Sequence, residues 1–240
     1  MNRIQQGLWP AAACVAGAIC AFPAQAGTTA HVGAFSEYVF RGVVADGGAA
    51  VQGGIDYAGD SGLLAGVWAT NANKFGGTEF DVYAAYLYKI SDTVMVDVGA
   101  LYYFLTEDKE DLSINPERRD FDTLEWFGTL FAGPVKLQAY YSHDYLATRA
   151  EGYYYSGFYT HAINPTIAVT AQVGYTHGNG AEAIYGDSYT DYSITLAKTV
   201  SKGLVFSLAA IDTDIEDDYT FLGTKDDPKV LVSVKKTFPF

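Results

Sequence analysis

From Thr29 onward the chain breaks into segments of about ten residues in which apolar and polar positions alternate with period two. That period describes strands with one apolar and one polar face. The clearest is the last, Lys229 to Phe240: Val230, Val232, Val234, Phe238 and Phe240 share one parity, and Ser233, Lys235 and Thr237 share the other. Lys236 breaks the apolar row once. In Thr78 to Ile90, Phe80, Val82, Ala84, Tyr86 and Tyr88 oppose Glu79, Asp81 and Lys89. The next segment sets Val94, Val96, Val98, Ala100, Tyr102 and Phe104 against Asp97. The first, Ala30 to Gly42, places Val32, Ala34, Tyr38 and Phe40 on the apolar face and Glu37 and Arg41 on the polar one. Segments 63–71, 153–163 and 204–211 are apolar or aromatic on both parities, so their facing stays open.

The pattern yields about twelve strands, and their connections alternate short and long. Turns at 59–62, 91–92, 133–134, 164–165 and 201–203 fall on one side. Loops at 43–48, 71–77, 105–122, 146–152, 177–188 and 212–228 fall on the other. Outer-membrane barrels sort their connections in this way, whereas a soluble sandwich has no reason to. A terminal strand with an apolar face also needs a partner, because a bare edge invites aggregation. Pairing with the first strand closes the sheet, with Phe238 and Phe240 as the apolar anchors of closure and assembly. The expected fold is an all-β, transmembrane, antiparallel up-and-down barrel over 27–240.

Residues 1–26 read as a cleaved secretory signal: Arg3 is their one charge, Leu8 to Phe22 is nearly all apolar, and Ala24-Gln25-Ala26 offers a small-x-small cleavage site. Both cysteines, Cys14 and Cys20, fall inside it, so the mature chain carries no thiol or disulfide. Without residues 1–26 the chain has 14 basic and 28 acidic residues, a net charge of −14. That balance argues against nucleic acid and is compatible with cations. Nineteen Tyr, 14 Phe and 25 Gly make a β composition, and 49% hydrophobic residues without a long apolar run suit strands that give lipid only one face.

Ser36-Glu37-Tyr38-Val39-Phe40-Arg41-Gly42, then Gln52-Gly53-Gly54-Ile55-Asp56-Tyr57, Gly62 and Gly66-Val67-Trp68-Ala69-Thr70-Asn71, resemble the TorF-type porin family of uncharacterised Gram-negative outer-membrane barrels. The loop after Gly42 lacks the family's Ser-Gln, and Thr70 stands where Ser is commoner. The resemblance implies location and architecture rather than a particular solute.

If the polar parities line the lumen, the wall carries Glu37, Asp56, Glu79, Asp81, Asp97, Glu125, Asp144 and Asp191 against Arg41 and Lys136. Carboxylate rings favour cations in pores, so the expected function is a porin-like, cation-preferring channel for small solutes. Lipid, lipopolysaccharide and the outer-membrane assembly machinery are the expected partners, with no nucleic acid and no cofactor. The same charges could instead form a closed network that plugs the barrel. Two further readings stand beside the channel: a lipid-acting barrel enzyme, and a non-conducting structural or adhesion barrel with cation-binding external loops. Ser142-His143-Asp144 suggests the enzyme, but neighbouring side chains on a strand point to opposite faces, so no enzyme is expected. The run Asp212, Asp214, Glu216, Asp217 and Asp218 has alternating carboxylates yet lacks the glycine and closing Glu of a calcium loop, so no metal site is assigned.

Overall fold

The computed structural model describes residues 26–71, 77–106, 122–215 and 228–240. Its strands are β1 (Gly27–Phe35), β2 (Tyr38–Phe40), β3 (Val43–Asp46), β4 (Ala50–Ala58), β5 (Leu63–Asn71), β6 (Thr78–Lys89) and β7 (Val94–Leu105). They continue with β8 (Thr123–Ala132), β9 (Val135–Ser142), β10 (Gly152–Asn164), β11 (Ile167–His177), β12 (Tyr189–Ser201), β13 (Leu204–Thr213) and β14 (Lys229–Pro239). A short helix, α1 (Asn179–Tyr185), interrupts the loop before β12. Twelve of the strands form a closed antiparallel barrel in the order β1-β14-β13-β12-β11-β10-β9-β8-β7-β6-β5-β4, and β2 and β3 form a separate hairpin.

The alternation determines which side chains face out. Val51, Ile55, Val98, Trp126, Ile194 and Val232 are all more than half exposed on the outer surface. An apolar belt of this kind is what a bilayer covers, since every backbone group of the closed sheet is already paired. Inward positions mix polar residues, including Thr129, Ser156, Thr170, Ser193, Thr195 and Ser207, with apolar and aromatic ones. The three segments of open facing are now settled. Leu64, Trp68 and Thr70 of β5, Tyr154 and Ser156 of β10, and Ser207, Ala209 and Ile211 of β13 are buried inside. Turns at the end bearing Gly27 and Phe240 are tight; Gly62 has φ +95°, and a Cβ there would sit 2.5 Å from the Leu87 carbonyl oxygen.

Closure runs as the terminal pattern requires. β14 pairs with β1 from Thr29↔Pro239 to Phe35↔Ser233, and the Phe240 amide donates to the Thr28 carbonyl at 2.9 Å. Phe238 and Phe240 point outward, 43% and 83% exposed. Replacing Phe240 with Asp puts a charge at the membrane-facing end of the closing strand. The expected outcome is a marked loss of folded barrel from the outer-membrane fraction, checked by gel mobility with and without boiling.

One assignment is corrected. The first strand does not run to Gly42: β1 ends at Phe35, and the chain then leaves the wall. Tyr38 is 4% exposed and faces inward rather than to lipid. The period of two continues through the bend, because the hairpin that follows is itself β structure, so periodicity alone cannot locate the break.

Candidate functional site: a hairpin inside the barrel

At the end of β1 the Ser36 amide donates to the Val232 carbonyl at 2.9 Å, and the Val232 amide donates to Ser36 Oγ at 3.1 Å. These bonds tie the last turn of the wall to β14 before the chain folds inward. The hairpin pairs Phe40 with Val43, so Arg41-Gly42 is a two-residue turn, with φ of 49° and 81°. Two positive φ values define a type I′ turn, the tight connection that matches strand twist. Gly42 suits both demands on it: a Cβ there would collide with Asp191 of β12. Arg41, by contrast, is a non-glycine residue in the left-handed region, a strained choice that its surroundings must hold.

The hairpin stays inside because it is apolar on both faces. Tyr38, Val39 and Ala45 pack with Phe35, Ala50, Trp68, Ala209, Ile211 and Leu231 of the wall. On the long-loop side, Val43 packs with Tyr145, Ala181, Ile184, Tyr185, Tyr189 and Ile215, so α1 and neighbouring loops cover it. The Tyr38 hydroxyl donates to Glu79 Oε1 at 2.8 Å, and the Tyr189 hydroxyl donates to the Arg41 carbonyl at 3.0 Å.

At the tip, Arg41 Nη2 donates to both carboxylate oxygens of Glu125, at 2.8 and 2.7 Å. The pair is nearly dry, with Arg41 7% and Glu125 1% exposed. Aromatic rings enclose the guanidinium: its Cζ lies 4.7 Å from the Phe40 centroid, 5.3 Å from Tyr140, 5.5 Å from Tyr145 and 4.6 Å from Tyr154. Tyr145 is presented by a tight turn after β9, where Leu146, Ala147 and Arg149 also take positive φ.

Beside the cage, Gln172 Nε2 donates to Asp191 Oδ1 at 2.6 Å, the Tyr154 hydroxyl reaches the same oxygen at 3.3 Å, and Ser193 Oγ donates to Gln172 Oε1 at 2.9 Å. A space of about 70 Å³ remains between hairpin and wall, with Arg41, Glu79, Asp81, Lys136, Gln138 and Asp191 on its lining. That is several times the volume one water requires. Gly174 keeps this corner open, since a Cβ there would collide with the Asp191 carboxylate and the Tyr154 hydroxyl. Gly174→Ala should destabilise the barrel by about 1–3 kcal/mol through overpacking, read as a lower melting temperature of the folded form.

The wall charges fall into separate groups. Asp81, Asp97, Glu125 and Asp191 are buried on the inner face. Asp56 accepts from the Tyr83 hydroxyl at 2.7 Å and lies 3.1 Å from His31 Nδ1. Lys136 places its Nζ 3.9 Å from the Phe158 centroid. Three expected members are not on the wall. Arg41 rides on the hairpin, Glu37 sits in the bend before it, and Asp144 lies beyond β9, where its Oδ1 accepts from the Arg149 amide at 2.7 Å. In each case the strand ends before the parity reaches the residue. Ser142 is fully buried and His143 exposed, so the two point apart. Glu216, Asp217 and Asp218 lie outside the described residues.

Several site residues escaped the sequence reading. Parity places Tyr145 with Tyr141 and His143 in a lipid-facing aromatic rim, and this is corrected: Tyr145 is fully buried inside. The sequence shows no carboxylate partner for His31, which the fold sets beside Asp56, and it does not mark Tyr140, Tyr154 or Lys235 as lumenal. Tyr154 shares its segment with tyrosines on both faces, so pattern cannot choose it. Tyr145 depends on a turn that periodicity does not describe.

Similarity to known proteins is structural and familial. The KdgM porin in complex with disordered oligogalacturonate is similar over 88% of this chain and 99% of its own, at 10% identity and a TM-score of 0.56. The NanC porin is similar over 89% of this chain and 99% of its own, at 11% identity and a TM-score of 0.58. At such identity the likeness shows the fold alone, that of outer-membrane porins. No curated protein sequence matches the chain. Residues 22–238 match a family described as "Bacterial protein of unknown function (Gcw_chp)".

Proposed function

The chain belongs to the Gcw_chp family, and we propose that it forms a narrow, cation-preferring porin-like channel for small solutes in a Gram-negative outer membrane. One observation carries the reading: a closed twelve-strand barrel whose outer face is apolar and whose inner face carries buried carboxylates among its polar and apolar groups. The resemblance of residues 36–71 to TorF-type porins supports it. Residues 1–26 would then direct export, and the long-loop end would face lipopolysaccharide outside the cell.

Asp56, Glu79, Asp81, Asp97, Glu125 and Asp191 give the wall six carboxylates against Lys136, Lys235 and the hairpin's Arg41. Arg41 is already matched by Glu125, so the remaining balance is acidic and raises the local cation concentration. Replacing Asp81 and Asp97 together with Asn should move the reversal potential in a salt gradient toward zero. An unmoved reversal potential, or an anion-preferring wild type, contradicts the charge assignment.

A plugged, non-conducting barrel is a second reading, favoured by the buried Arg41–Glu125 pair that fixes the hairpin inside. Recording from purified protein in a planar bilayer separates the two. Discrete current steps support the channel, and silence at high protein density supports the plug.

A further inference from the structure

We propose that the cage around Arg41 is a receptor for guanidinium-bearing cations, in which Arg41 is a tethered occupant that such a solute displaces. Most of the cage does not belong to the hairpin. Glu125 comes from β8, Tyr140 from β9, Tyr145 from the following turn and Tyr154 from β10; only Phe40 moves with Arg41. The wall groups therefore stay in place if the tip withdraws, and they present a carboxylate whose two oxygens both accept from one guanidinium nitrogen, Arg41 Nη2. The ring faces around that site favour a flat guanidinium, which stacks on them, over a compact ammonium.

Two observations make exchange reasonable. The tethered guanidinium is held from a residue at φ +49°, a strain that a free solute does not carry. The approach is also lined with acceptors: among the described residues, Asp191 Oδ2, Asp81 Oδ1 and Ser156 Oγ are buried without a hydrogen-bond partner. All three residues, like Arg41, line the same space. A cation arriving there meets open oxygens before it meets Glu125. Because the tether keeps Arg41 at an effective concentration in the millimolar range or above, a competing solute must reach similar levels in the wild type. Displacement frees the tip of the hairpin and widens the lumen, a consequence that rests on the channel reading.

Binding is tested without conduction. Arg41→Gly empties the cage and places glycine where the turn prefers it. The detergent-solubilised variant, which has no tethered guanidinium left to compete, is heated in guanidinium chloride or the same millimolar concentration of ammonium chloride. Loss of the folded gel form is followed. The melting midpoint should rise with guanidinium and not with ammonium, and the rise should vanish when Glu125→Gln is added. Arg41→Lys, whose ammonium lacks the flat face that stacks on the rings, replaces the first variant if that one does not fold, with the same order expected. Equal responses to the two salts, no response, or a response that survives Glu125→Gln overturns the proposal. In a bilayer, guanidinium should raise the wild-type unitary current above that seen with ammonium. Guanidinium binding in a protein that carries no current would instead overturn the channel reading and leave the receptor standing.

Discussion

Excising residues 36–49 and joining Phe35 to Ala50 through Asn-Gly is expected to raise the unitary conductance several-fold while the barrel still folds. Phe35 and Ala50 are the last paired residues of β1 and β4, so a two-residue type I′ turn spans the gap directly. The pairing of the twelve strands is retained, since the hairpin pairs only with itself, although the two Ser36–Val232 bonds to β14 go with the excised segment. What is lost is the material filling the lumen: Tyr38, Val39 and Val43 are each under 5% exposed. Burying each contributes about 1.5–3 kcal/mol, enough together to hold the native hairpin docked after its ordering cost. Without the hairpin, Trp68, Ile211 and Leu231 meet lumenal water, which lowers stability but leaves the closed sheet. Bilayer recording of both proteins in one salt checks this. Equal conductance would mean that the hairpin does not set the width.

Glu125→Gln should loosen the hairpin more than any other single substitution in the lumen. Removing one partner of a buried ion pair leaves the other charge uncompensated, a loss of about 3–5 kcal/mol. That is comparable to about half of what the apolar hairpin contacts supply by the same bookkeeping. The docked state should therefore become only marginally favoured, giving frequent openings to a larger conductance. Adding Arg41→Gly removes the stranded charge and the strained φ together, so the double variant should be steadier than Glu125→Gln alone. The coupling between the two positions is read from open probability in a double-mutant cycle. Additive effects would show that the pair does not act as a latch.

Strand order, closure and most facings follow from alternation because the barrel wall obeys one rule: one face to lipid, one to the interior. Segment 63–71 coincides with β5 to the residue. Asp81, Asp97 and Asp191 turn inward because their neighbours on the other parity are apolar. The site is less legible for a physical reason. A hairpin folded into the lumen alternates like the wall, so Ala30 to Gly42 reads as one strand although Phe35 ends it. Arg41-Gly42 followed by Val43 and Val44 is the available trace of a turn, and it is weaker than Asn-Gly because Arg seldom takes positive φ. The guanidinium cage is built by β8, β9, the turn after it and β10, which are consecutive in the chain. Its occupant arrives from a hairpin much earlier in the sequence, and only the closed barrel brings the two together. The α1 segment went unseen because seven residues rich in Gly and Ala carry too little periodicity to stand out from a loop.

The most direct measurement is a planar-bilayer recording of the purified wild-type protein under a salt gradient, paired with the hairpin-excised barrel. A membrane channel narrowed by its own hairpin predicts small discrete steps, a reversal potential of the cation-selective sign, and much larger steps after excision. A wild type without current, or with steps as large as those of the excised barrel, would contradict it.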